Sequence, residues 1–336
     1  MAKYQAAVLG CGSIFSRHLA ALQANSNDYE FVGYFDPDVN IQSKLQNELP
    51  LQKCYSSEDE LFNDTMINCV IILTPSDLHF SQASRALNSG CNVILEKPAC
   101  LDPNQIISLI ELANSLKLEI FCVLQVRLNQ SVDLVKQVLD EGLLGEIRSS
   151  SLIQRWQRPE SYFSGWRGTY AGCGGVMSEF GIHYLDIMQY LLSTPEVTST
   201  KFYKTKFKIS EVDDSVYALL DFGTFGATME ICLAAEPHNI EVSLTILGSN
   251  GYLKLGGKSL DQVVAVEFLT QDNLLRYEQI CQEVLGYKID NQVEIGACPH
   301  HPELYKQIVV NPERFSLVKT YNILKLISKI NQMGKA

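Results

Sequence analysis

Lys97 lies in the segment Glu96-Lys97-Pro98, which directly follows the apolar run at residues 93–95. A cation at the end of a buried strand is costly unless something compensates its charge. The proline that follows restricts the backbone at the same point. The segment is therefore either a solvated loop or a device that holds an amine in a fixed place.

A second group of reactive side chains lies in GGVMSEFGIHYLD, residues 174–186. Glu179, His183 and Asp186 are spaced i, i+4 and i+7, which predicts that they share one helix face. An amine and an imidazole are suitable groups for moving a hydroxyl proton while hydride leaves the same carbon. The alternatives are a surface lysine, a core histidine and an aspartate that only pairs with a nearby base. Lys97 and His183 together favour catalysis if a dinucleotide site precedes them.

The segment VLGCGSIF, residues 8–15, joins a predicted strand to a predicted helix. Gly10 would give the tight turn, and Gly12 would let the backbone approach a pyrophosphate at the helix N-terminus. The third position of the GxGxxG pattern is Phe15. The motif is incomplete, so either the helix lies further from the sheet or Phe15 turns aside. A simple loop is the alternative.

Asp36 ends the next predicted strand, EFVGYFD, and stands 24 residues after Gly12. A carboxylate there can hold the ribose 2′-hydroxyl of NAD. Asp38 is close by, and no Arg or Lys between residues 31 and 42 could receive a 2′-phosphate. These features predict NAD as the cofactor. The alternative is that Asp36 and Pro37 only form a turn.

The elements that would position these residues form two regions. The first third alternates short apolar strands with helices, which is typical of a parallel sheet covered on both faces. Thr74 and Pro75 follow one of its strands, at the edge where such sheets bind ligands. Later segments alternate in polarity and carry hairpin signals, which predicts antiparallel strands. The fold class is α/β: a Rossmann doubly wound sheet over residues 1–124, and an α+β domain for substrate binding and oligomerisation, with a large mostly antiparallel sheet, over residues 125–336.

The predicted boundaries are specific. The strands are placed at residues 5–9, 31–35, 68–73, 92–95, 119–124 and 147–154, with further alternating strands between 197 and 255. The helices are placed at residues 14–24, 81–89, 103–116 (capped by Asp102), 132–140, 180–192, 303–310 and 313–331.

Composition limits the possible partners. The 336 residues are 46% hydrophobic and 19% charged, with a net charge of −11, which argues against nucleic acid or an anionic membrane as a partner. The ten cysteines form no CxxC pair, so we expect free thiols in a reducing cytoplasm. No signal-peptide pattern and no apolar run of about 18 residues is found. We expect no metal, because CPHH (298–301) lacks further ligands at recognisable spacing.

The segments GCGSIFSRH, TPSDLH, EKP and GIHYLD together resemble the Gfo/Idh/MocA oxidoreductase family. The resemblance implies that Lys97 contacts both nicotinamide and substrate, and that His183 contacts the reacting hydroxyl. The residue four before that histidine is commonly Asp or Asn in the family, and here it is Glu179. The predicted cofactor-binding residues are Gly10, Gly12, Ser13, Ile14, Asp36, Thr74, Pro75, His79, Glu96, Lys97 and Gln125.

One branch of the family is the most similar. LQVRLNQ (124–130) and RWQRPESYFSGWRG (155–168) resemble bacterial enzymes that oxidise the 3-hydroxyl of UDP-N-acetylglucosaminuronic acid for surface polysaccharides. Arginines there could bind phosphate or carboxylate, and aromatic rings could stack on a base or sugar. The alternative is an aromatic loop that packs on the sheet. The predicted substrate-binding residues are Arg127, Arg155, Arg158, Tyr162, Trp166, Arg167, Glu179 and His183, with Trp156 as a further stacking candidate.

Two other functions stay open at this point. A dehydrogenase of a free sugar or inositol would share the chemistry but leave the arginine-rich loop without a diphosphate. A non-catalytic NAD(H)-binding regulator would bind cofactor without turnover, and the presence of Lys97 and His183 speaks against it. Alternation in residues 215–222 and 241–247 exceeds what the few predicted helices could cover, which predicts a homodimer or homotetramer.

Overall fold

The structure is a computed structural model that describes residues 4–286 and 300–334. These residues form two compact units. One contains residues 4–124 and 300–324, and the other contains residues 125–286 and 325–334. The predicted boundary after residue 124 coincides with this division, whereas the segment 300–324 was assigned by sequence to the second domain and packs with the first unit instead.

The first unit contains a six-stranded parallel sheet in the strand order β3-β2-β1-β4-β5-β6. The order changes direction at β1 and β4, and ligands of open α/β sheets bind beyond the carboxyl ends of strands at such a point. Its elements are β1 (Tyr4–Leu9), α1 (Phe15–Ala24), β2 (Tyr29–Phe35), α2 (Val39–Glu48), β3 (Lys53–Cys54), α3 (Glu58–Phe62), β4 (Cys69–Ile72), α4 (His79–Asn88), β5 (Asn92–Leu95), α5 (Pro103–Leu116) and β6 (Ile120–Cys122).

The central strands are buried almost throughout, which agrees with their parallel pairing. All four residues of β4 and the last four of β1 are buried, as expected of strands with helices on both faces. The helices carry ordinary end signals. At α5, Asp102 accepts a hydrogen bond from the Asn104 N–H at 2.9 Å, as predicted, and Lys117 ends the helix in the left-handed conformation.

The second unit contains a seven-stranded sheet in the order β13-β12-β11-β7-β10-β9-β8. Within this sheet, only the β7–β10 pair of the described strands is parallel, so the sheet is mostly antiparallel, as predicted. The elements of this unit are α6 (Gln130–Asp140), β7 (Ile147–Arg155), α7 (Tyr170–Cys173), α8 (Ile182–Leu192), β8 (Glu196–Tyr203), β9 (Ser215–Asp221), β10 (Gly226–Cys232), β11 (Glu241–Gly248), β12 (Gly251–Gly256), β13 (Gln262–Phe268) and α9 (Gln271–Leu285).

The last helices of the described chain are α10 (His301–Val310) and α11 (Tyr321–Gly334). Leu304, Tyr305 and Ile308 form a buried stripe on α10, and the Tyr305 ring packs against Tyr29 of β2. This apolar stripe is why the segment joins the first unit. Within the described residues, no helix has both the length and the hydrophobicity that crossing a bilayer requires.

Candidate functional site

A glycine turn joins β1 to α1. Gly10 has φ +88°, and a Cβ atom there would lie 3.0 Å from the Thr74 backbone nitrogen, so only glycine fits. At Gly12 a Cβ would meet no heavy atom within 4 Å, which leaves room above the backbone. Ser13 is exposed and Ile14 is half-buried at the start of α1. The turn therefore has the open approach and the helix N-terminus that a pyrophosphate needs.

Phe15 occupies the position of the third glycine without blocking the turn. Its side chain is buried, and its ring centroid lies 6.4 Å from that of Phe31 in β2. The ring turns aside towards the neighbouring strand, which is one of the two outcomes that the sequence predicted.

Asp36 directly follows β2, and its carboxylate is fixed by two backbone donors. One oxygen accepts from the Cys11 N–H at 2.7 Å and the other from the Asp38 N–H at 2.9 Å. The side chain of Asp38 points elsewhere, because it caps α2 by accepting from the Asn40 N–H. Asp36 thus forms a turn and also holds a negative charge beside the glycine loop. The turn alternative and the cofactor role are compatible.

His79 links the segments that follow β4 and β5. Its buried ring lies between two backbone carbonyls, with Nδ1 2.8 Å from the Pro98 oxygen and Nε2 2.9 Å from the Thr74 oxygen. Burial lowers the pKa of His79, so the neutral ring donates to one carbonyl at a time. Both nitrogens are engaged by the backbone. His79 therefore holds together two segments of the predicted cofactor site. Neither of its ring nitrogens is left to bind the cofactor directly.

The Glu96-Lys97-Pro98 segment follows β5, and its Lys97–Pro98 peptide bond is cis. Lys97 is half-buried, whereas both of its neighbours are buried. The Glu96 carboxylate points inward. It accepts from the Lys97 N–H at 2.9 Å and lies 3.0 Å from His18 Nε2. Burial opposes ionisation of Glu96, but the hydrogen bond to His18 and the nearby His301 ring together hold the pKa of this carboxyl well below its usual range.

In the second unit, the helix predicted at residues 180–192 begins with a π-helical turn, Met177–Gly181, before α8. The wider turn changes the helical spacing, and Glu179 and Asp186 bind different partners. Glu179 accepts from the Tyr162 hydroxyl at 2.9 Å and from Arg167 Nε at 3.4 Å. Asp186 instead pairs with Arg127.

The Arg127–Asp186 pair is bidentate and buried. Arg127 Nε lies 2.7 Å from one carboxylate oxygen, and its Nη2 lies 2.5 Å from the other. Arg127 was predicted to bind substrate, but this geometry makes it an anchor between α8 and the short 3₁₀ helix Gln125–Leu128. Gln125, a predicted cofactor residue, opens that turn. Its buried side-chain oxygen accepts no hydrogen bond from the described residues.

Two of the predicted arginines lie in one aromatic cluster. The Arg158 guanidinium lies 4.7 Å from the Trp156 ring centre and 5.0 Å from that of Phe180. Arg167 lies 4.4 Å from the Trp166 ring and 4.9 Å from the Tyr162 ring. Burial lowers the pKa of Arg158. These contacts keep the guanidinium groups in defined positions beside aromatic faces.

Arg155 does not join that cluster, which corrects the expectation of three arginines acting together. Strand alternation in β7 buries Leu152 and Gln154 on one face and turns Arg155 towards the other. There it binds Glu230 through two hydrogen bonds of 2.7 and 2.6 Å and contacts Glu241 at 3.4 Å.

One buried polar cluster in the first unit was not predicted as a group, although Glu96 was predicted to bind the cofactor. His18, Glu96 and His301 are all buried, and one potential ligand atom from each lies within 4.8 Å of the others. The segment CPHH contains His301, but Cys298 and Pro299 lie outside the described residues. His18, Glu96 and His301 are far apart in sequence, so the grouping of these residues becomes visible only from their burial in the structure. The expectation of no metal stays a prediction.

The glycine turn, the fixed acid after β2 and the lysine after β5, all on a doubly wound sheet, define a dinucleotide-dependent oxidoreductase. Sequence profiles agree with this class. The profile of the oxidoreductase family with an NAD-binding Rossmann fold, GFO/IDH/MocA, matches residues 4–123, and the profile of the family's C-terminal domain matches residues 132–254. The chain belongs to the Gfo/Idh/MocA family of NAD-binding oxidoreductases.

Individual proteins are similar over most of the chain. An uncharacterised oxidoreductase of Schizosaccharomyces pombe is 28% identical over 266 residues, which cover 76% of this chain and 71% of the relative. The D-glucoside 3-dehydrogenase of Escherichia coli is 24% identical over 234 residues, which cover 65% of each chain. The crystal structure of the WlbA dehydrogenase of Bordetella pertussis with NADH and UDP-GlcNAcA has a TM-score of 0.86 at 22% identity, covering 99% of this chain and 97% of that one.

Proposed function

We propose that this NAD-dependent oxidoreductase oxidises the 3-hydroxyl of a UDP-linked N-acetylamino-sugar uronic acid for surface polysaccharide synthesis. The observation that carries the proposal is the position of Glu179. This residue precedes His183 by four positions and binds both Tyr162 and Arg167. Glu179 therefore joins the arginine-rich aromatic loop to the segment that contains His183.

The residues of the cofactor turn are suited to NAD. The open backbone at Gly12 would approach the pyrophosphate, and Asp36 would accept hydrogen bonds from the ribose hydroxyls. When bound, oxidised nicotinamide takes up a hydride from the carbon that bears the reacting hydroxyl. The protein's own task is to remove the proton of that hydroxyl as the carbonyl forms. We assign this proton transfer to the Lys97 amine and the His183 imidazole, on the family pattern.

The charge of the proposed substrate matches the loop. A diphosphate and a uronate carry negative charges, whereas the chain has a net charge of −11 and needs local cations to bind them. Arg158 and Arg167 provide such cations beside the rings of Trp156, Tyr162 and Trp166. The rings offer stacking surfaces for a sugar or a uracil base.

The relatives give further support. WlbA, the similar structure from Bordetella pertussis, was crystallised with NADH and UDP-GlcNAcA. The E. coli relative is named for oxidation at position 3 of a D-glucoside. No disulfide joins the nine described cysteines to one another, which suits the reducing cytoplasm that we propose as the location.

A free sugar or glycoside is the second candidate substrate. The pairing of Arg167 with the buried Glu179 favours it, because an arginine already neutralised by a carboxylate attracts a diphosphate less strongly. The name of the E. coli relative points the same way. A non-catalytic NAD(H)-binding regulator would have no use for a half-buried lysine after β5.

The test is a screen of UDP-sugars, UDP-sugar acids and free sugars for reduction of NAD, followed by the absorbance of the reduced nicotinamide. Arg158→Ala and Arg167→Ala are then compared with Arg155→Ala, a matched control that removes an arginine from the other face of β7. We expect at least one of the first two to raise KM for the UDP-sugar about 30-fold, as for a lost charge-assisted contact of roughly 2 kcal/mol.

The control should leave KM nearly unchanged, because Arg155 is paired with Glu230 and Glu241. Turnover of free sugars without turnover of any UDP-sugar would reject the nucleotide-linked substrate and support the second candidate. Equal effects of all three variants would mean that the aromatic cluster has no special role.

A further inference from the structure

We propose that His18 and Tyr305 are positioning residues for Lys97, and that they act through the carboxylate of Glu96. The inference rests on the proposed catalytic role of Lys97 and adds two residues that do not touch substrate. The residues involved all belong to the first unit.

The four groups form one continuous chain of hydrogen bonds. The Tyr305 hydroxyl lies 2.8 Å from His18 Nδ1, and His18 Nε2 lies 3.0 Å from Glu96 Oε1. The other oxygen of Glu96 accepts from the Lys97 backbone N–H at 2.9 Å. The chain therefore begins on α10, passes through α1 and ends on the backbone of the residue that we assign to chemistry.

The protonation states of its groups give this chain of hydrogen bonds a single donor-to-acceptor direction. Burial lowers the pKa of His18, so the ring is neutral and carries one N–H. Burial raises the pKa of Tyr305, which keeps its hydroxyl protonated, while Glu96 stays ionised. The Tyr305 hydroxyl therefore donates to Nδ1, and Nε2–H donates to Glu96. Every donor meets an acceptor, which is the condition under which a buried polar network rigidifies its surroundings.

This arrangement fixes the backbone of Lys97. A carboxylate held from behind by His18 cannot rotate freely, and its second oxygen holds the Lys97 N–H. That hydrogen bond sets the direction in which the lysine side chain leaves the loop. The rate of a catalysed reaction depends on the exact position of the catalytic group, since a misplacement of 1 Å can lower the rate by about 10²-fold.

A metal ion is the competing interpretation of the same cluster. His18, Glu96 and His301 could offer three ligands to a cation such as Zn²⁺. However, His18 uses both ring nitrogens in hydrogen bonds of ordinary length, and a metal at Nε2 would break the one to Glu96. His301 Nε2 lies 3.8 Å from Glu96 Oε1, beyond hydrogen-bond distance. The geometry favours the hydrogen-bonded chain.

His301 supplies a matched control, because it is as buried as His18 and lies beside the same carboxylate without a hydrogen bond to it. The variants are His18→Leu, His18→Gln, Tyr305→Phe and His301→Leu in the full chain. The first readout is amide hydrogen exchange of the segment around Lys97, which needs neither substrate nor turnover. The second is kcat and KM for the substrate found in the screen, with NADH affinity and the thermal midpoint measured on each variant.

We expect His18→Leu to speed exchange of the Lys97 amide about tenfold or more and to lower kcat by about 10–100-fold, with KM and NADH affinity within about threefold. Tyr305→Phe should show the same pattern more weakly. His18→Gln should recover part of the loss, because its amide can donate to Glu96. His301→Leu should leave the exchange of Lys97 unchanged.

Unchanged exchange in a folded His18→Leu variant would overturn the proposal, and if that variant does not fold, unchanged exchange in Tyr305→Phe would do so. Stoichiometric zinc in the purified protein, lost equally from the His18 and His301 variants, would assign the cluster to a metal instead. A protein with no turnover on any sugar, but with the expected exchange pattern, would reject the proposed substrate and leave the positioning chain intact.

Discussion

Asp36 is the residue on which cofactor choice depends. Its two oxygens are held by the Cys11 and Asp38 N–H groups, so its negative charge is fixed beside the glycine turn. A 2′-phosphate at that place would be repelled, and no Arg or Lys between residues 31 and 42 offsets the charge.

We predict that NADH binds at least about tenfold more tightly than NADPH. Asp36→Ser combined with Pro37→Arg should shift this ratio towards NADPH, because a repulsive charge is replaced by a cation. Two dissociation constants for each protein, measured by nicotinamide fluorescence, decide the point. Equal or tighter binding of NADPH by the native protein would show that Asp36 does not face the ribose.

Lys97→Ala should reduce kcat by about 10²–10⁴-fold, the range typical of a lost general acid or base. Folding and NADH affinity should change little, since the Lys97 contact with Glu96 is made by the backbone N–H, which alanine retains. Lys44→Ala, which removes an exposed lysine of α2, is the control. Near-normal turnover of the Lys97 variant would place this residue outside the chemistry.

Several site residues could be predicted because a local pattern marks them. Gly10, Asp36 and Lys97 each follow a short apolar strand, and in a parallel sheet such positions meet at one edge. No local pattern identified Tyr305 as the partner of His18, because the two residues are 287 positions apart in the sequence. Arg155 was grouped with Arg158 because β7 was predicted to end at residue 154. One further strand residue placed Arg155 on the other face of the sheet.

At the scale of elements, the Arg127–Asp186 pair fixes α8, the helix that contains His183. Both charges are buried and joined by two hydrogen bonds. Removal of one partner leaves an unpaired buried charge, whereas removal of both leaves none.

We predict that Arg127→Met lowers the free energy of unfolding by about 3–5 kcal/mol, and that adding Asp186→Leu restores much of it. Urea denaturation of the single and double variants measures this difference. Arg276→Met, which breaks exposed ion pairs with Glu141 and Glu283, should change stability little. If the Arg127 variant is as stable as the native protein but loses substrate affinity, the original substrate-binding prediction for Arg127 would be correct.

Element boundaries were predicted well for α5, whose length shows the helical period clearly, and for β5, which contains a continuous apolar run. The π-helical turn before α8 was missed, since nothing in local spacing separates it from an α-helix. Its Glu179 is fixed by Tyr162 and Arg167, which are distant in sequence, and so the turn depends on tertiary contacts. The two-residue strand β3 has no period at all. The helix α10 belongs to the first unit because it packs against α1, and a single sequence does not reveal this contact.

At the scale of the whole molecule, the seven-stranded sheet presents one face without a covering helix among the described residues. Residues that alternate with the buried core positions of its strands point to this open face, and several are large and apolar. Tyr203 of β8 is 48% exposed, Leu219 of β9 is 53% exposed, and Leu247 of β11 is 44% exposed. Arg155, Glu230 and Glu241 form an ion-paired group on the same face. An antiparallel sheet with apolar residues on both faces is a common surface for subunit contact.

We therefore predict that the protein forms a homodimer or homotetramer in which this open face is buried between subunits. A stable two-fold contact buries about 800 Å² on each partner, which a seven-stranded face can provide. Leu219→Asp places an unpaired charge on this face, in the strand next to the edge strand β8, and should raise the dissociation constant of the assembly at least about tenfold. Leu51→Asp is the matched control, because Leu51 is 92% exposed in the first unit. Light scattering at micromolar concentration gives the mass of each protein. A native protein with the mass of one chain would contradict the prediction, and an oligomer that Leu219→Asp does not weaken would place the subunit contact on another surface.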